Sequence, residues 1–304
     1  MNLTKQLKSF LKTAKNPLIV ILGPTASGKT AISLKIARQI DGEIISTDSR
    51  QIYRGLEIGS DVLPEDQREG IPHHMIGIVD PDREYSLAEY KDDATRIIEE
   101  IRNRDHIPML VGGTGLYISA LTEEYDVPRV PPDKELREKL YKEAEEKGPE
   151  ALHARLAKLD PEAANAIHQN NLRYVVRALE INLKTGKPKQ DKKAGSTNKP
   201  NPDVFMIGIE RPREEIYERI NTRVDTQDSR GLIDEVTALL DKGYDEELPA
   251  MTSLGVKEII PFIRKEQTLE ECKETLKQNT RNYAKRQGTW FRRYPQIHWV
   301  QAAD

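Results

Sequence analysis

Residues 23–30, Gly23-Pro24-Thr25-Ala26-Ser27-Gly28-Lys29-Thr30, meet the pattern G-x-x-x-x-G-K-[ST] without substitution. The chemistry of such a loop is anion binding. Backbone N–H groups converge on phosphate oxygens, the helix that follows contributes its positive end, and Lys29 adds a point charge. The Thr30 hydroxyl stands where a magnesium ion is held. Two further polar clusters follow, Asp48-Ser49-Arg50-Gln51-Ile52-Tyr53 and Gly112-Gly113-Thr114-Gly115. By position alone, Asp48 suits a magnesium ligand, a general base or a helix cap equally. Nucleotide hydrolases usually carry an acid at the end of a neighbouring apolar strand, to hold the metal. Here Met109-Leu110-Val111 runs into glycines and Thr114 with no acid. The loop therefore predicts a phosphate ligand without saying whose phosphates. His73-His74 invites a metal reading, but adjacent side chains rarely meet one ion and no further His or Cys lies nearby in the chain.

These groups need a scaffold that brings them to one edge. Leu18-Ile19-Val20-Ile21-Leu22 is unbroken apolar sequence, as in a parallel strand buried on both faces. From 31 to 40, Ile32, Ile36 and Ile40 recur at helical spacing, so the loop joins a strand to a helix. Strands are predicted at 42–47, 107–111 and 204–209, with an amphipathic helix over 85–102 and a last strand at 297–300. Alternating strands and helices around this loop predict an α/β core, a doubly wound parallel sheet whose ligands bind at the carboxyl edge. The core is expected over 1–127 and 201–304. Residues 128–200 are expected to form a helical insertion, with helices at 134–147, 149–159, 160–168 and 172–183. Within it, 187–202 reads as a polar surface loop. Helices are also predicted at 211–240, broken near Gly231, and at 269–293.

A chain of 304 residues with a net charge of −3 and one cysteine, Cys272, excludes a disulfide framework and a cysteine metal cluster. It suits a reducing cytoplasm and argues against a protein that coats nucleic acid. No apolar run reaches membrane-spanning length. Leu3, Leu7, Phe10 and Leu11 share one stripe with interspersed lysines, which predicts an N-terminal helical extension rather than a leader. Charge is nevertheless uneven. Residues 273–293 hold seven basic side chains against one acid, interleaved with Tyr283, Trp290 and Phe291. That run fits a solvated helical face or a surface for RNA.

The ordered set of motifs resembles the bacterial tRNA dimethylallyltransferases. It comprises the loop at 23–30, Asp48 to Tyr53, Gly112-Gly113-Thr114-Gly115-Leu116-Tyr117, Arg177-Ala178-Leu179-Glu180 and Thr185-Gly186-Lys187-Pro188. It continues through Arg219 to Asp225, Gly231 to Val236 and Tyr283-Ala284-Lys285-Arg286-Gln287, so it spans nearly the whole chain. The resemblance implies transfer of a dimethylallyl group from dimethylallyl diphosphate to N6 of the adenine 3′ to the anticodon. The phosphates would then leave as pyrophosphate, which accounts for the missing acid. It implies Gly23 to Thr30 as the diphosphate cradle, Asp48 as general base, Thr114 as a donor to the bridging oxygen, and Lys29 and Arg223 as cations on the leaving group, with Mg2+ at Thr30. Without it, Arg223 reads as a surface ion pair with Glu218 or Asp225. The tRNA anticodon stem-loop would meet Asp48, Ser49, Arg50 and Gln51 at the base, and Arg137, Arg173, Arg177, Lys257, Lys285, Arg286, Gln287 and Arg292 elsewhere. A cytoplasmic monomer without membrane attachment is expected.

Two strings depart from the family's pattern. Asn170-Asn171 stands for the usual Asn-Asp, and Ser253-Leu254-Gly255-Val256-Lys257-Glu258 lacks the tyrosine of Ile-Gly-Tyr-Lys-Glu. Both concern expected RNA contacts rather than the chemistry. The competing readings are a phosphate-loop small-molecule kinase and a nucleotide-switched RNA-binding protein without group transfer.

Overall fold

The computed structural model describes residues 3–123, 127–186 and 201–302. The chain divides into two compact units, Met1–Glu123 with Asn198–Asp304, and Glu124–Thr197. In the first unit, α1 (Leu3–Thr13), β1 (Leu18–Leu22), α2 (Lys29–Ile40), β2 (Gly42–Ser46), β3 (His73–His74), α3 (Leu87–Arg102), β4 (Ile107–Gly112) and α4 (Gly115–Thr122) come before the second unit. The second unit holds α5 (Lys134–Lys147), α6 (Pro149–Leu159), α7 (Pro161–Ala166) and α8 (Leu172–Thr185). The chain then adds β5 (Val204–Glu210), α9 (Arg213–Ser229), α10 (Leu232–Asp241), α11 (Ile260–Ile263), α12 (Leu269–Phe291) and β6 (His298–Gln301) to the first.

The six strands form one all-parallel sheet in the order β3-β2-β4-β1-β5-β6. β1 lies in its interior with all five residues buried, as its apolar run requires. Its side chains alternate between two cores. Leu18, Val20 and Leu22 join Tyr90, Ile98 and Phe291 of α3 and α12, whereas Ile19 and Ile21 join Leu7, Leu34 and Ile36 of α1 and α2. Both faces are thus covered, as in the doubly wound arrangement. A third core places Ile52 and Tyr53 against Val224, Val236, Ile259 and Leu276. Val256, where the family pattern has tyrosine, is wholly buried in it.

Helix starts follow from local chemistry. Ser86 with Glu89 and Thr268 with Glu271 form capping boxes at α3 and α12. In the second unit Asp133 and Asp160 accept hydrogen bonds from Leu136 and Ala163 at the starts of α5 and α7. Its own core comprises Leu140, Leu152, Leu156, Val175, Val176 and Leu179. Residues 187–200 of the expected surface loop lie outside the described residues.

β3 was not anticipated. Its two residues are too few to show any periodicity, and their side chains are structural. His73 Nδ1 lies 2.8 Å from the Ile71 carbonyl, and His74 Nε2 lies 2.7 Å from the buried carboxylate of Glu43. Glu43 also meets Arg104 and His106. Burial alone would raise its pKa, but these hydrogen bonds outweigh burial and hold it down at about 2. Among the described residues no cluster of His, Cys, Asp and Glu is built to hold a metal.

Candidate active site

The phosphate loop leaves β1 at Gly23, where a Cβ would lie 2.6 Å from the Ile209 carbonyl of β5. Gly28, with φ 96°, caps α2 and brings no side chain to its first turn. Those N–H groups consequently have no side-chain acceptor at the cap and are open to an anion. Lys29 folds back over the loop, donating from Nζ to the carbonyls of Gly23 at 3.0 Å and Pro24 at 2.8 Å. Desolvation in this position lowers its pKa to about 8. The Asp48 charge opposes that shift, and Arg223 adds to it.

Three arginines grip the loop from outside, and only Arg223 was assigned from the sequence. Arg223 donates from Nη1 to Thr25 Oγ1 at 2.6 Å and lies 3.6 Å from Asp61. Arg219, one turn earlier on α9, donates from Nε to the Ala26 carbonyl at 3.1 Å. Arg211, just before α9, donates from Nε to the Ser27 carbonyl at 3.2 Å. The Ser27 N–H turns back to the Pro24 carbonyl at 3.2 Å, and holding the Ser27 carbonyl outward leaves the Gly28 N–H to face a ligand. The surface ion pair between Asp225 and Arg223 does not form. Asp225 instead meets Lys273 and Lys277 of α12, at 3.2 and 3.3 Å.

Asp48 caps no helix. Its Oδ1 accepts the Arg50 N–H at 2.9 Å in a turn, and its own N–H reaches Ser46 Oγ at 3.2 Å. The N–H of the next residue, Ser49, donates to Thr114 Oγ1 at 3.1 Å. The turn that carries Asp48 is thereby tied to the Thr114 hydroxyl, which comes from a different strand end. Beside Thr114, at the start of α4, lies the phenol of Tyr283, whose pKa is pushed above its ordinary range mainly by burial and then by the Asp48 charge. Tyr90 stacks on Tyr117 with ring centroids 3.7 Å apart and donates to the Ser46 carbonyl at 3.0 Å. Tyr283 and the stacked tyrosines give the Asp48 cluster an aromatic wall that the sequence did not reveal.

The residues expected to meet RNA divide into several groups. Arg50 donates to the Pro249 carbonyl, and Gln51 bonds Ser46 Oγ at 2.8 Å and the Ser60 carbonyl at 3.2 Å, so both side chains brace the loop that presents Asp48 and Ser49. Gln287, expected as an RNA contact, is 5% exposed and points inward. Its Oε1 accepts the Thr25 N–H at 2.8 Å, and its Nε2 donates to the Gly113 carbonyl at 3.0 Å. Lys285, Arg286 and Arg292 are exposed on or beside α12, and Lys257 is exposed beside Glu258 at 3.7 Å. The basic run is also smaller than it reads. Lys273 and Lys277 pair with α9, and Arg281 donates to Asn221 at 2.7 Å. In the second unit Arg173 is exposed, while Arg137 and Arg177 both bond Glu180, which is fully buried. These two guanidiniums neutralise a buried carboxylate that also accepts the Asp133 N–H at 2.7 Å.

Thr30 is exposed on the first turn of α2. One hydroxyl without an acidic cluster suits magnesium, which keeps its waters and takes most remaining ligands from a substrate's phosphates. No helix among the described residues is long and apolar enough to cross a membrane.

Comparison with known proteins agrees with this geometry. Residues 51–294 match the family described as IPP transferase, and residues 16–71 match the isopentenyl transferase family. A tRNA dimethylallyltransferase of Pelotomaculum thermopropionicum is 47% identical over 94% of this chain and 91% of its own. The tRNA isopentenylpyrophosphate transferase of Bacillus halodurans superposes with a TM-score of 0.69 at 42% identity, covering 94% of this chain and 90% of that one. A eukaryotic dimethylallyltransferase acting on tRNA gives 0.78 at 30% identity, over 95% and 75% of the two chains. With the phosphate loop, the Asp48 turn and Thr114 in place on such a sheet, the chain belongs to the IPP transferase family.

Proposed function

We propose that this protein transfers the dimethylallyl group of dimethylallyl diphosphate to N6 of the adenine 3′-adjacent to the anticodon of tRNA, releasing pyrophosphate. The observation that carries the reading is the Ser49 N–H bond to Thr114, which ties the turn carrying the Asp48 carboxylate to the Thr114 hydroxyl. N6 attacks the allylic carbon while that carbon's bond to the bridging oxygen breaks. The exocyclic nitrogen is a poor nucleophile, because its lone pair is conjugated with the ring. Asp48, with Oδ1 fixed by the Arg50 amide, takes the N6 proton as the new bond forms. Thr114, whose oxygen accepts the Ser49 N–H, donates its own proton to the departing oxygen. Charge that builds on the diphosphate meets the loop amides, Lys29 and Arg223. Magnesium, when bound, would sit at Thr30 and neutralise further phosphate charge.

The adenine must leave its stack to reach Asp48. Exposed cations are well suited to hold the backbone of the anticodon stem-loop: Arg173 in the second unit, and Lys257, Lys285, Arg286 and Arg292 in the first. We take the working form to be a monomer in the cytoplasm. The direct test incubates the protein with magnesium, unmodified tRNA and radiolabelled dimethylallyl diphosphate. Label is expected in the tRNA. An unlabelled tRNA, together with ATP-dependent phosphorylation of an acceptor, would overturn the reading in favour of a kinase.

A further inference from the structure

The inner stripe of α12 lies along the loop that follows β4. Tyr283, Gln287 and Trp290 fall at successive helical intervals, and they meet Thr114, Gly113 and Gly115 in turn. The fit leaves no room for a side chain at either glycine. A Cβ on Gly113 would overlap the Gln287 amide, and one on Gly115 would overlap the Trp290 indole. Gln287 is the central member and reaches both phosphate-facing segments. Through one amide it joins Thr25, after β1, to Gly113, after the neighbouring strand β4. Each end therefore touches a residue tied to the site. Thr25 carries the Arg223 bond on its hydroxyl, and Gly113 precedes Thr114.

We propose that Gln287 is a positioning residue for the diphosphate site, setting the spacing between the phosphate loop and Thr114. It takes up the Thr25 N–H, and the Ser27 N–H turns to the Pro24 carbonyl, so those two amides serve the loop's shape and the remaining ones serve the ligand. Removal of the Gln287 amide strands a part-buried N–H and a buried carbonyl that must part or find other partners. The helix also presents Lys285 and Arg286 to solvent, so RNA contact and loop placement are separate duties of adjacent residues.

The proposal rests on the diphosphate reading above, and binding of inorganic pyrophosphate separates the two because it needs no turnover. Gln287→Met, close in shape but without hydrogen bonds, and Gln287→Glu, which keeps the acceptor for Thr25 and loses the donor to Gly113, are measured beside Lys285→Ala. For both Gln287 variants, pyrophosphate affinity by calorimetry and KM for dimethylallyl diphosphate are expected to weaken about tenfold. Their tRNA Kd should stay within twofold and keep the wild-type salt dependence. Lys285→Ala should do the reverse. Three results would overturn the proposal: tRNA Kd weakened tenfold with pyrophosphate affinity intact, no change in either ligand, or a loss of both affinities in step with thermal stability. Pyrophosphate binding that responds as expected, with no transfer to tRNA by the wild type, would remove the functional reading and leave the role of Gln287 standing.

Discussion

Lys29 makes diphosphate binding a proton-linked event. Its ammonium is desolvated against the carbonyls of Gly23 and Pro24, and its pKa falls to about 8 in the free protein. A diphosphate in the loop places anionic oxygens beside the same ammonium and returns the pKa to about 10.4 or above. The sign follows directly. Below pH 8 the lysine is charged in both states and affinity is at its full value. Above pH 8 the free protein has lost a proton that the complex requires, so affinity falls about tenfold per pH unit until the bound pKa is reached. Between pH 7 and 9.5 the dissociation constant should rise roughly 25-fold. The ligand does not titrate in this window, since the last ionisation of a phosphate ester lies near about pH 6. Calorimetry with dimethylallyl diphosphate, without tRNA, in buffers of different ionisation enthalpy counts the protons taken up. About 0.9 is expected at pH 9 and roughly 0.1 at pH 7. In Lys29→Arg the charge persists across this range, so affinity should be level. Uptake below roughly 0.2 proton at pH 9, or an equally steep profile in Lys29→Arg, would refute the argument.

Asp48→Asn keeps the acceptor for the Arg50 amide and removes the base. Turnover should fall about 10²–10⁴-fold, with pyrophosphate and tRNA binding within a few-fold, checked by single-turnover kinetics and binding titrations. Glu43→Gln disturbs the carboxylate held by Arg104, His74 and His106 and should cost about 3 kcal/mol in urea denaturation. Because the Glu43 pKa is depressed, its contribution is complete above its ordinary range near 4.5 and is lost as pH falls toward 2, a limb the variant should lack. Arg173→Ala should weaken tRNA binding and reduce its salt dependence at an unchanged melting temperature. Arg137→Ala should instead lower the melting temperature, because the buried carboxylate of Glu180 loses a partner.

Much of the fold was legible because its signals are local. The phosphate loop, the apolar run of β1 and the break at Gly231 each sit within a few residues, and the structure places them as read. Signals that depend on distant pairing were not legible. Arg211 and Arg219 reach the loop from positions 184 and 193 residues away, and although Arg219 opens one of the quoted motifs, nothing local shows that either side chain bonds the loop. The run from 273 to 293 reads as one basic face, but three of its cations turn to acids and an amide of α9. Gln287 was misread for a related reason. It follows Lys285 and Arg286 in one string, yet residues two apart on a helix point about 200° away from each other. Lys285 is consequently outside and Gln287 inside.

That inward placement bears on the missing acid at the end of β4. A nucleotide hydrolase keeps a carboxylate there to hold magnesium. In this chain the position belongs to Gly113, and the Gln287 amide fills the space a side chain would need. An acid at 113 would displace Gln287, leave the Thr25 amide without its acceptor and set a negative charge near Asp48. In the proposed reaction the cations of α9 and the loop supply the charge compensation instead, facing phosphate oxygens that become more negative as the allylic bond breaks. Glycine at 113 and arginine at 223 are thus two parts of one arrangement, suited to a diphosphate that leaves.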